Sequence, residues 1–307
     1  MIVWGFAAAA LAILVWPFLI ESIRPRMRDK DRALAPGAFA VLPKGVTHYR
    51  WLGAEDGPLV VCVHGLTTPS FVWEPIAQHL GEMGFRVLVY DLYGRGYSDR
   101  PKGLQDADFF CDQLDALLDE LRIDEPFTLF GYSMGGAIAT AYAARHPAKI
   151  RELVLIAPAG LGHDLGPVAD LAVNQDWIGK WLALGFYPRV LRRATEADRA
   201  LPSAIPDMVD RQILETRWRG FAPAVLSSLR GIMSEDLAPA HAAIAKTGVP
   251  VLAIWGKEDD VIPIAGLGKL AEWNRDARQE EFEDAGHALA YTHVNEIAEV
   301  LAGLRRN

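Results

Sequence analysis

Residues Phe130–Gly136, FGYSMGG, place one serine among three glycines at the point where an apolar run passes into an alanine-rich segment. The apolar run predicts a buried strand, and the following AIATAYAARHP predicts a helix that Pro147 limits. Gly131–Gly135 matches the pattern G-x-S-x-G, in which a sharp strand-to-helix turn holds the serine in a strained backbone conformation. We therefore expect the Ser133 hydroxyl to project above a sheet edge, beside the N–H groups of a helix N-terminus that favour negative charge.

Strand and helix patterns alternate on both sides of this turn. Continuous apolar runs such as VLVY, LVLIA and VLAIW are typical of parallel strands buried on both faces. The alternation predicts an α/β fold with a mostly parallel central sheet flanked by helices. The first two predicted strands, 46–51 and 58–63, would pair around the turn GAEDGP. Further strands are predicted at 86–91, 127–130, 152–157, 250–255 and 278–282, and helices at 71–83, 108–122, 133–145, 264–273 and 294–304.

The alternation breaks between Gly160 and Lys246. This segment is rich in Leu, Ala, Trp and Arg, and prolines at positions 188, 202, 206 and 223 interrupt it. Such a composition favours short helices, so we predict an inserted helical cap over residues 161–246. The α/β core then comprises residues 46–160 and 247–307.

The N-terminal segment differs in composition from the rest of the chain. Ile2–Ile20 contains no charged residue, and as a helix it would be about 28 Å long, close to the thickness of a hydrocarbon core. We predict a transmembrane anchor over residues 1–22 and a polar, proline-containing linker over residues 23–45. Basic residues follow the apolar run and none precedes it, which predicts a single-span membrane protein with its main domain in the cytoplasm. A cleaved signal peptide and a buried or interfacial helix are the alternative interpretations.

Composition argues against several classes of function. The 307 residues carry a formal net charge of −8, without a basic stripe of the kind that binds nucleic acid. The two cysteines, Cys62 and Cys111, indicate no disulfide framework. No His, Cys or Asp cluster has the spacing of metal ligands, and no glycine-rich phosphate loop is evident, so neither a metal nor an organic cofactor is predicted.

A serine hydroxyl becomes a good nucleophile only when a neighbouring base removes its proton. His287 lies in EDAGHALAY, directly after the last predicted strand, where a loop could reach over the sheet. We therefore predict His287 as the base of Ser133. His293, at the start of the last helix, is the alternative, whereas His146 beside Pro147 is better explained as a helix-terminal residue.

The base in turn needs a carboxylate that fixes its tautomer and stabilises the imidazolium. The predicted strand VLAIW ends in GKEDDVIP, which offers three adjacent carboxylates, Glu258–Asp260. We predict Asp259 for this role, with Asp164 after the preceding strand as the alternative. The resulting order along the chain is serine, aspartate, histidine.

Two backbone N–H groups should hold the negative oxygen of a tetrahedral intermediate. The amide of Met134, directly after the serine, supplies the first. The second should come from the loop HGLTTPSFVWEP after the strand LVVCV, where Leu66 is the predicted donor. His64 and Gly65 are interpreted as residues that shape this loop.

Together these motifs identify the chain, over about residues 46–305, as a member of the α/β-hydrolase-fold serine hydrolases. The motifs are HG at 64–65, DLYGRGYSD at 91–99, GYSMGG at 131–136, GKEDDVIP at 256–263 and AGH at 285–287. The resemblance implies that the segment at 91–99 is structural rather than catalytic. It also argues against haloalkane dehalogenases and epoxide hydrolases, since these relatives use an aspartate where this chain has Ser133.

Within the superfamily, the chain resembles monoacylglycerol lipases and related membrane-associated esterases. The resemblance implies a carboxylic ester hydrolase that forms an acyl-enzyme on Ser133 and needs no cofactor. An apolar or lipid-like ester is the expected substrate, because the predicted anchor would hold the site near a bilayer. A carbon–carbon bond hydrolase or a perhydrolase on the same triad is the alternative, although the former typically has Asn and Trp where this chain has Tyr132 and Ala288. A non-catalytic membrane scaffold is a third hypothesis.

The predicted cap contains many aromatic residues, which could line an acyl pocket and so bind the substrate. The predicted substrate-binding residues are Trp177, Trp181, Phe186 and Trp218, with Tyr187 and Phe221 beside them. The same residues could instead pack the cap against the core, because aromatic side chains contribute large burial energies wherever they lie.

Overall fold

The computed structural model describes residues 2–162 and 166–303, and only the backbone of residues 167–169. Eight strands form its central sheet: β1 Ala38–Leu42, β2 Gly45–Gly53, β3 Leu59–Val63, β4 Arg86–Tyr90, β5 Phe127–Tyr132, β6 Ile150–Ile156, β7 Val251–Gly256 and β8 Arg278–Phe282. Their spatial order is β1-β2-β4-β3-β5-β6-β7-β8. β1 with β2 and β2 with β4 are antiparallel pairs, and the remaining pairs of this sheet are parallel.

Helices precede, follow and connect these strands. They are α1 Ile2–Ile23, α2 Asp29–Arg32, α3 Glu74–Glu82, α4 Ala107–Glu120, α5 Met134–Arg145, α6 Gly166–Asn174, α7 Asp176–Gly185, α8 Tyr187–Ala197, α9 Met208–Glu215, α10 Phe221–Arg230, α11 Ala238–Thr247, α12 Ala265–Trp273, α13 Leu289–Thr292 and α14 Val294–Leu301. Short 3₁₀ turns occupy Ser70–Trp73, Pro147–Lys149, Asp198–Ala200 and Ile232–Ser234.

Helices cover the sheet on both faces, which explains why its central strands are apolar throughout. β3, β5 and β7 are buried at every position, as expected for parallel strands between two helical layers. One core cluster lies under α4, α5, α11 and α12 and includes Leu114 and Ile138. The other lies under α3, α13 and α14 and includes Leu80 and Ile297. The predicted α/β architecture is therefore confirmed.

The first strands are organised differently from the prediction. β1 lies inside the predicted linker 23–45, because Ala40 and Leu42 are buried and the strand pairs along its whole length with β2. β2 and β3, predicted to pair with each other, are separated by β4, which hydrogen-bonds to both. The turn GAEDGP therefore connects two strands that are not neighbours in the sheet.

The last helix of the predicted cap belongs with the core. α11 packs on α5 and α12, and the side chains of His241 and Ile244 on its inner face are fully buried. Leu237, just before it, is part of the main core cluster. The helices that stand over the sheet as a cap are α6–α10, so the cap ends before α11 rather than at residue 246.

The apolar N-terminal segment forms α1, which extends one residue beyond the predicted anchor. Within the described residues, α1 is the one helix long and apolar enough to cross a membrane, and only 6% of its apolar window is buried. A core helix would be mostly buried, whereas a signal sequence passes the same test of length and composition. The C-terminal half of α1 packs against α7 of the cap.

Candidate active site

Ser133 occupies the sharp turn between β5 and α5. Its backbone has φ 55° and ψ −123°, a conformation that a non-glycine residue rarely adopts. The surrounding glycines permit this turn, because a Cβ on Gly131 would approach the carbonyl oxygen of Gly135 to 2.4 Å. A Cβ on Gly135 would approach the carbonyl oxygen of Val63 to 2.1 Å. The serine hydroxyl is thereby held at the carboxyl edge of the sheet.

His287 reaches the serine from the loop after β8. Its Nε2 lies 2.9 Å from the Ser133 Oγ, which is hydrogen-bonding distance. Tyr132 holds the same loop, because its hydroxyl donates to the main-chain carbonyl of His287 at 2.8 Å and its ring stacks on the imidazole with centroids 5.5 Å apart. The sequence analysis did not predict that Tyr132 positions His287, although its place directly before Ser133 was a usable signal.

Asp259 completes the arrangement from the loop after β7. Its Oδ2 lies 2.8 Å from the His287 Nδ1, and the carboxylate is buried. The other oxygen accepts backbone N–H groups from Val261 at 2.9 Å and Ile262 at 2.7 Å. Both carboxylate oxygens are therefore engaged, which fixes the plane of the carboxylate toward the imidazole.

The alternative candidates lie elsewhere or have other partners. Asp164 lies outside the described residues. Asp260 faces the cavity beside Ser133, but His287 hydrogen-bonds to its neighbour Asp259 instead. The Nδ1 of His293 pairs with the Thr292 hydroxyl at 2.8 Å. Of the predicted acids and bases, the structure brings Asp259 and His287 to the serine.

The loop after β3 passes close to the serine, and two buried side chains orient its peptides. A Cβ on Gly65 would lie 3.3 Å from the Ser133 Cβ. The His64 Nδ1 lies 2.8 Å from the Gly65 carbonyl oxygen. Because N–H and C=O point in opposite directions across a trans peptide, this bond turns the Leu66 N–H away from His64. Leu66 lines the same cavity as Ser133.

The tautomer of His64 follows from its second contact. The Leu92 N–H donates to the His64 Nε2 at 2.9 Å, so the ring carries its proton on Nδ1 and donates it to Gly65. Complete burial lowers the pKa of His64 to about 4, despite the opposing effect of the Asp91 carboxylate. The imidazole is therefore neutral at physiological pH and holds the loop without charge.

Arg95 orients the next peptide and connects it to the cap. Its Nε donates to the Leu66 carbonyl at 2.9 Å, and its Nη2 donates to the Ser228 hydroxyl on α10 at 2.8 Å. Its Nη1 donates to the Tyr93 carbonyl at 3.0 Å and also to the Gln105 side chain. The guanidinium is fully buried. Sequence reasoning treated the segment at 91–99 as structural and missed this connection.

Met134, the other predicted oxyanion donor, is the first residue of α5. Its N–H is one of the helix N-terminal donors that have no intrahelical acceptor. The side chain is fully buried, so only the backbone of this residue is relevant to the site.

A cavity of about 710 Å³ lies beside Ser133 and His287, between the sheet edge and the cap. One face of α8 forms its roof through Tyr187, Leu191 and Thr195. Among the described residues, no lysine or arginine lines it. Carboxylates do line it: Asp198, Glu258, Asp260 and Asp284. Burial raises the pKa of the Asp198 carboxyl, as does the nearby Asp260.

The predicted substrate-binding aromatics do not line this cavity. The ring of Trp177 packs at a tilt against Phe18 of α1, with ring centroids 6.4 Å apart, and the Trp181 Nε1 donates to the Ile13 carbonyl at 3.1 Å. Phe186 lies between Trp181 and Trp16, at 5.3 and 6.5 Å from their rings. That prediction was wrong for these residues because they cover α1 instead.

Trp218 is buried away from the serine, next to a smaller cavity that also contacts His48 and Asp91. Of the six aromatic residues considered from sequence, Tyr187 is the one that lines the cavity beside Ser133. Within the described residues, no group of three or more His, Cys, Asp or Glu side chains is arranged to hold a metal ion.

The sequence profile of the family described as alpha/beta hydrolase fold matches residues 58–294. The chain belongs to this family. The match includes the turn between β5 and α5 that carries Ser133, and both loops that carry Asp259 and His287.

Similar proteins include several hydrolases. A 2-hydroxymuconate semialdehyde hydrolase of Pseudomonas sp. (strain CF600) is 31% identical over 227 residues, which cover 70% of this chain and 75% of that protein. A pimeloyl-(acyl-carrier protein) methyl ester esterase of Chromobacterium violaceum is 30% identical over 252 residues, covering 80% and 94% of the two chains. The structure of an esterase from Exiguobacterium antarcticum superimposes with a TM-score of 0.73 at 23% identity, covering 88% and 100%. At that identity the structural match supports the shared fold alone.

Proposed function

We propose that this α/β hydrolase is a serine-dependent carboxylic ester hydrolase that acts on uncharged, apolar or lipid-like esters. The observation that carries the proposal is the chain of short contacts from Ser133 to His287 to Asp259, at 2.9 and 2.8 Å. A hydroxyl, an imidazole and a buried carboxylate in this order form the constellation that activates serine in acyl transfer. The strained backbone of Ser133 further supports a functional turn.

In the resting state, the Asp259 carboxylate accepts the His287 Nδ1–H, which leaves Nε2 free to accept the serine proton. The Ser133 Oγ attacks the ester carbonyl carbon while its proton moves to Nε2. The carbonyl oxygen becomes an oxyanion, which the N–H groups of Leu66 and Met134 stabilise. The His287 imidazolium then protonates the leaving alcohol, and the C–O bond breaks to give the acyl-enzyme.

Water completes the reaction by the same route. His287 removes a proton from a water molecule, which attacks the acyl carbon and forms a second oxyanion. Collapse of this intermediate returns the proton to the Ser133 Oγ and releases the carboxylic acid. The residues of this chain supply every proton transfer in both steps.

The cavity supports an uncharged substrate. Its lining combines apolar side chains such as Leu191, Leu229 and Ile262 with four carboxylates and, within the described residues, no lysine or arginine. An anionic acyl group or alcohol would lose its hydration there without gaining a charged partner, which is costly. A neutral acyl chain would instead gain from contact with the apolar part of the wall.

A carbon–carbon bond hydrolase is the second candidate, favoured by the relative named as a 2-hydroxymuconate semialdehyde hydrolase. Muconate is a carboxylate, for which the cavity beside Ser133 offers no cationic partner among the described residues. The two candidates differ in a direct assay. An ester hydrolase cleaves nitrophenyl esters and leaves vinylogous diketone acids intact, whereas the second candidate shows the opposite preference.

The proposal includes membrane attachment through α1, with the catalytic domain on the cytoplasmic side. The length and apolar composition of α1 and the basic residues that follow it support this arrangement. Cell fractionation tests it, because the full-length protein should sediment with membranes and require detergent for release. Recovery of full-length protein in the soluble fraction would contradict this part.

Labelling with a fluorophosphonate tests the nucleophile. The probe should label the native protein covalently, and Ser133→Ala should abolish labelling and hydrolysis of short nitrophenyl esters. Ser203→Ala, which removes an exposed serine from the segment between α8 and α9, serves as the matched control and should label normally. Labelling that persists in Ser133→Ala would overturn the assignment of Ser133.

A further inference from the structure

A second cavity lies where α1 enters the main domain, away from Ser133. Its volume is about 1030 Å³, and it is bounded by the end of α1, the loop 99–105 and the cap helices α7 and α10. Phe18 and Glu21, on the last turns of α1, both line it. None of the residues assigned to the ester-cleaving site lines it. The cavity therefore needs an explanation other than catalysis.

The charge of this cavity opposes the charge of the protein. Seven basic and three acidic side chains line it, in a chain whose formal net charge is −8. Two of the basic residues, Lys180 and Arg230, share the single carboxylate of Asp176, at 2.8 and 2.7 Å. Lys44 and Arg100 pair with carboxylates outside the lining, Asp112 at 2.9 Å and Glu215 at 3.8 Å, so the unpaired positive charge lies on other basic residues.

Two cations that line this cavity have no partner among the described residues. Arg26 and Lys102 are exposed, and within residues 2–162 and 166–303 neither forms an ion pair or a side-chain hydrogen bond. Arg100, which also lines the cavity, has partners within the protein: its Nη1 and Nη2 donate to the carbonyls of Ser98 and Gly96 at 2.6 and 2.9 Å, and Nη2 lies 3.8 Å from the Glu215 carboxylate. Arg26 and Lys102 are therefore the cations of this cavity that stay available to an anionic ligand.

The remaining wall is apolar. Phe18, Met27, Leu184 and Leu226 line it together with the aliphatic parts of the basic side chains. Ile20 is the last residue of the uncharged run, so a cavity that contains Phe18 and Glu21 lies level with the end of that run. If α1 spans a bilayer, this level corresponds to the lipid headgroups on the cytoplasmic side, and the α7 surface that packs on α1 between Ile13 and Phe18 lies in the adjoining apolar layer.

We propose that this cavity binds the phosphate-bearing headgroup of an anionic phospholipid, with Arg26 and Lys102 contacting the phosphate. The apolar wall would contact the upper part of the acyl chains, which a free phosphate ion lacks. Bound lipid would hold the end of α1, the loop 99–105 and the cap in one arrangement. The proposal rests on the membrane attachment suggested above, and it is independent of the reaction at Ser133.

Lipid-dependent thermal stability tests the proposal with the full-length protein in neutral detergent. The Ser133→Ala background is used, so that hydrolysis of the lipid cannot change the result. Phosphatidylglycerol titrated into the micelles should raise Tm in a saturable manner, whereas phosphatidylcholine should not. Arg26→Gln/Lys102→Gln should weaken the apparent affinity for phosphatidylglycerol about tenfold or more, because each removed cation contributes separately to binding an anionic lipid.

Matched controls distinguish a built site from general electrostatic attraction. Lys246→Gln/Arg275→Gln removes the same charge from exposed positions of the core and should retain the native affinity. Inorganic phosphate and glycerol phosphate, added without lipid, should raise Tm much less than phosphatidylglycerol does. Equal stabilisation by free phosphate would overturn the lipid assignment.

Three further results would overturn the proposal as a whole. They are an equal response to phosphatidylcholine, an unchanged affinity in Arg26→Gln/Lys102→Gln, and an equal loss in the control pair. None of them depends on ester cleavage, so failure here is distinguishable from failure of the proposed reaction. If native protein labels poorly with fluorophosphonate but still gains Tm with phosphatidylglycerol, the lipid site is supported and the proposed reaction is not.

Discussion

The rim of the sheet around Ser133 and the surface of the cap around Trp181 are both rich in side-chain contacts, but the contacts differ in kind. At the rim, each side chain of the triad is held through hydrogen bonds to backbone or to another fixed side chain, as with Asp259 and the amides of Val261 and Ile262. On the cap, Trp177 and Phe186 remain about half exposed and contact α1 through their rings. Directional bonds restrict the residue type and its spacing along the chain, whereas ring packing tolerates many arrangements.

The largest expected effect concerns the hydrogen-bonded residues around Ser133. Asp259→Asn should lower kcat for ester hydrolysis by roughly 10⁴-fold, because an amide cannot stabilise the imidazolium and favours the wrong tautomer of His287. Steady-state assays with a nitrophenyl ester measure this. Asp276→Asn, at an exposed position after α12, is the control and should keep native turnover. A loss of less than tenfold in Asp259→Asn would contradict the assigned role.

The same difference explains how much could be predicted from sequence. Ser133, Asp259 and His287 follow strands of a parallel sheet, so strand order and motif spacing bring them to one edge without any knowledge of side-chain packing. Trp177 and Trp181 carry no such signal. Whether they face a cavity or α1 depends on how helices remote in sequence meet, which composition does not specify.

Arg95 and β1 were missed for related physical reasons. The role of Arg95 arises from the simultaneous approach of the Leu66 carbonyl and the Ser228 hydroxyl, which are distant from it in sequence. β1 is a short edge strand inside a polar stretch, where only Ala40 and Leu42 are buried. Two buried positions give too weak a period-2 pattern to distinguish a strand from a linker.

Arg95→Lys should have the next largest effect on activity. It tests whether the connection from α10 of the cap through Arg95 to Leu66 matters for catalysis. One ammonium cannot hold Leu66, Gln105 and Ser228 together, so the loop after β3, which carries the proposed oxyanion donor Leu66, loses a fixed carbonyl. We expect kcat to fall roughly 10- to 100-fold, with KM changed less than twofold. Arg151→Lys, on the exposed side of β6, is the control.

A boronic acid that mimics the tetrahedral intermediate separates positioning from folding. In Arg95→Lys its affinity should fall in proportion to kcat, while unfolding in urea remains a single transition. An unchanged inhibitor affinity together with reduced kcat would exclude this role for Arg95.

The third prediction concerns α11, which sequence assigned to the cap and the structure places in the core. Burial lowers the pKa of His241 to about 4, and neither ring nitrogen has a hydrogen-bond partner among the described atoms. The unfolded chain binds a proton near pH 6.5 and the folded chain does not, so stability falls as the pH drops from about 6.5 toward 4. At pH 5 this single group should lower the free energy of unfolding by about 2 kcal/mol relative to pH 7.

His241→Phe should remove this part of the acid dependence, because the new ring keeps the contact with Trp273 and does not titrate. Urea unfolding at pH 7 and pH 5 measures it. His293→Phe, which replaces a partly exposed histidine, should retain the full difference. If the free energy of unfolding changes equally with pH in native protein and His241→Phe, the folded chain binds a proton at His241 as readily as the unfolded chain does, and the prediction is wrong.

Tyr132→Phe tests how much the hydrogen bond from Tyr132 contributes to positioning His287. The substitution removes the hydrogen bond from the tyrosine hydroxyl to the His287 carbonyl and keeps the stacked ring. One hydrogen bond corresponds to about 1 kcal/mol, so kcat should fall about fivefold with little change in KM. Tyr142→Phe removes a comparable bond to Asp115 on the far side of α5 and should leave kcat unchanged.

The smallest expected effect on activity belongs to the cap surface. Trp181→Ala should change kcat/KM for soluble esters by less than about twofold. The ring contacts Phe186 and α1 rather than the cavity, so its loss removes no contact with the substrate. Tyr187→Ala, which alters the cavity wall, should raise KM for long-chain esters about tenfold. Equal effects of the two substitutions would restore Trp181 as a substrate-binding residue.

The position of β1 has a practical consequence for producing the protein without detergent. A shortened chain that began at residue 46 would lack β1 and expose the edge of β2, which favours aggregation. It would also lose the Arg32 contact with Asp99 at 2.5 Å and the bond between the Pro36 carbonyl and His48 at 2.6 Å. A start near residue 26 would keep these contacts, but it would uncover the rings of Trp177, Trp181 and Phe186 that pack against α1.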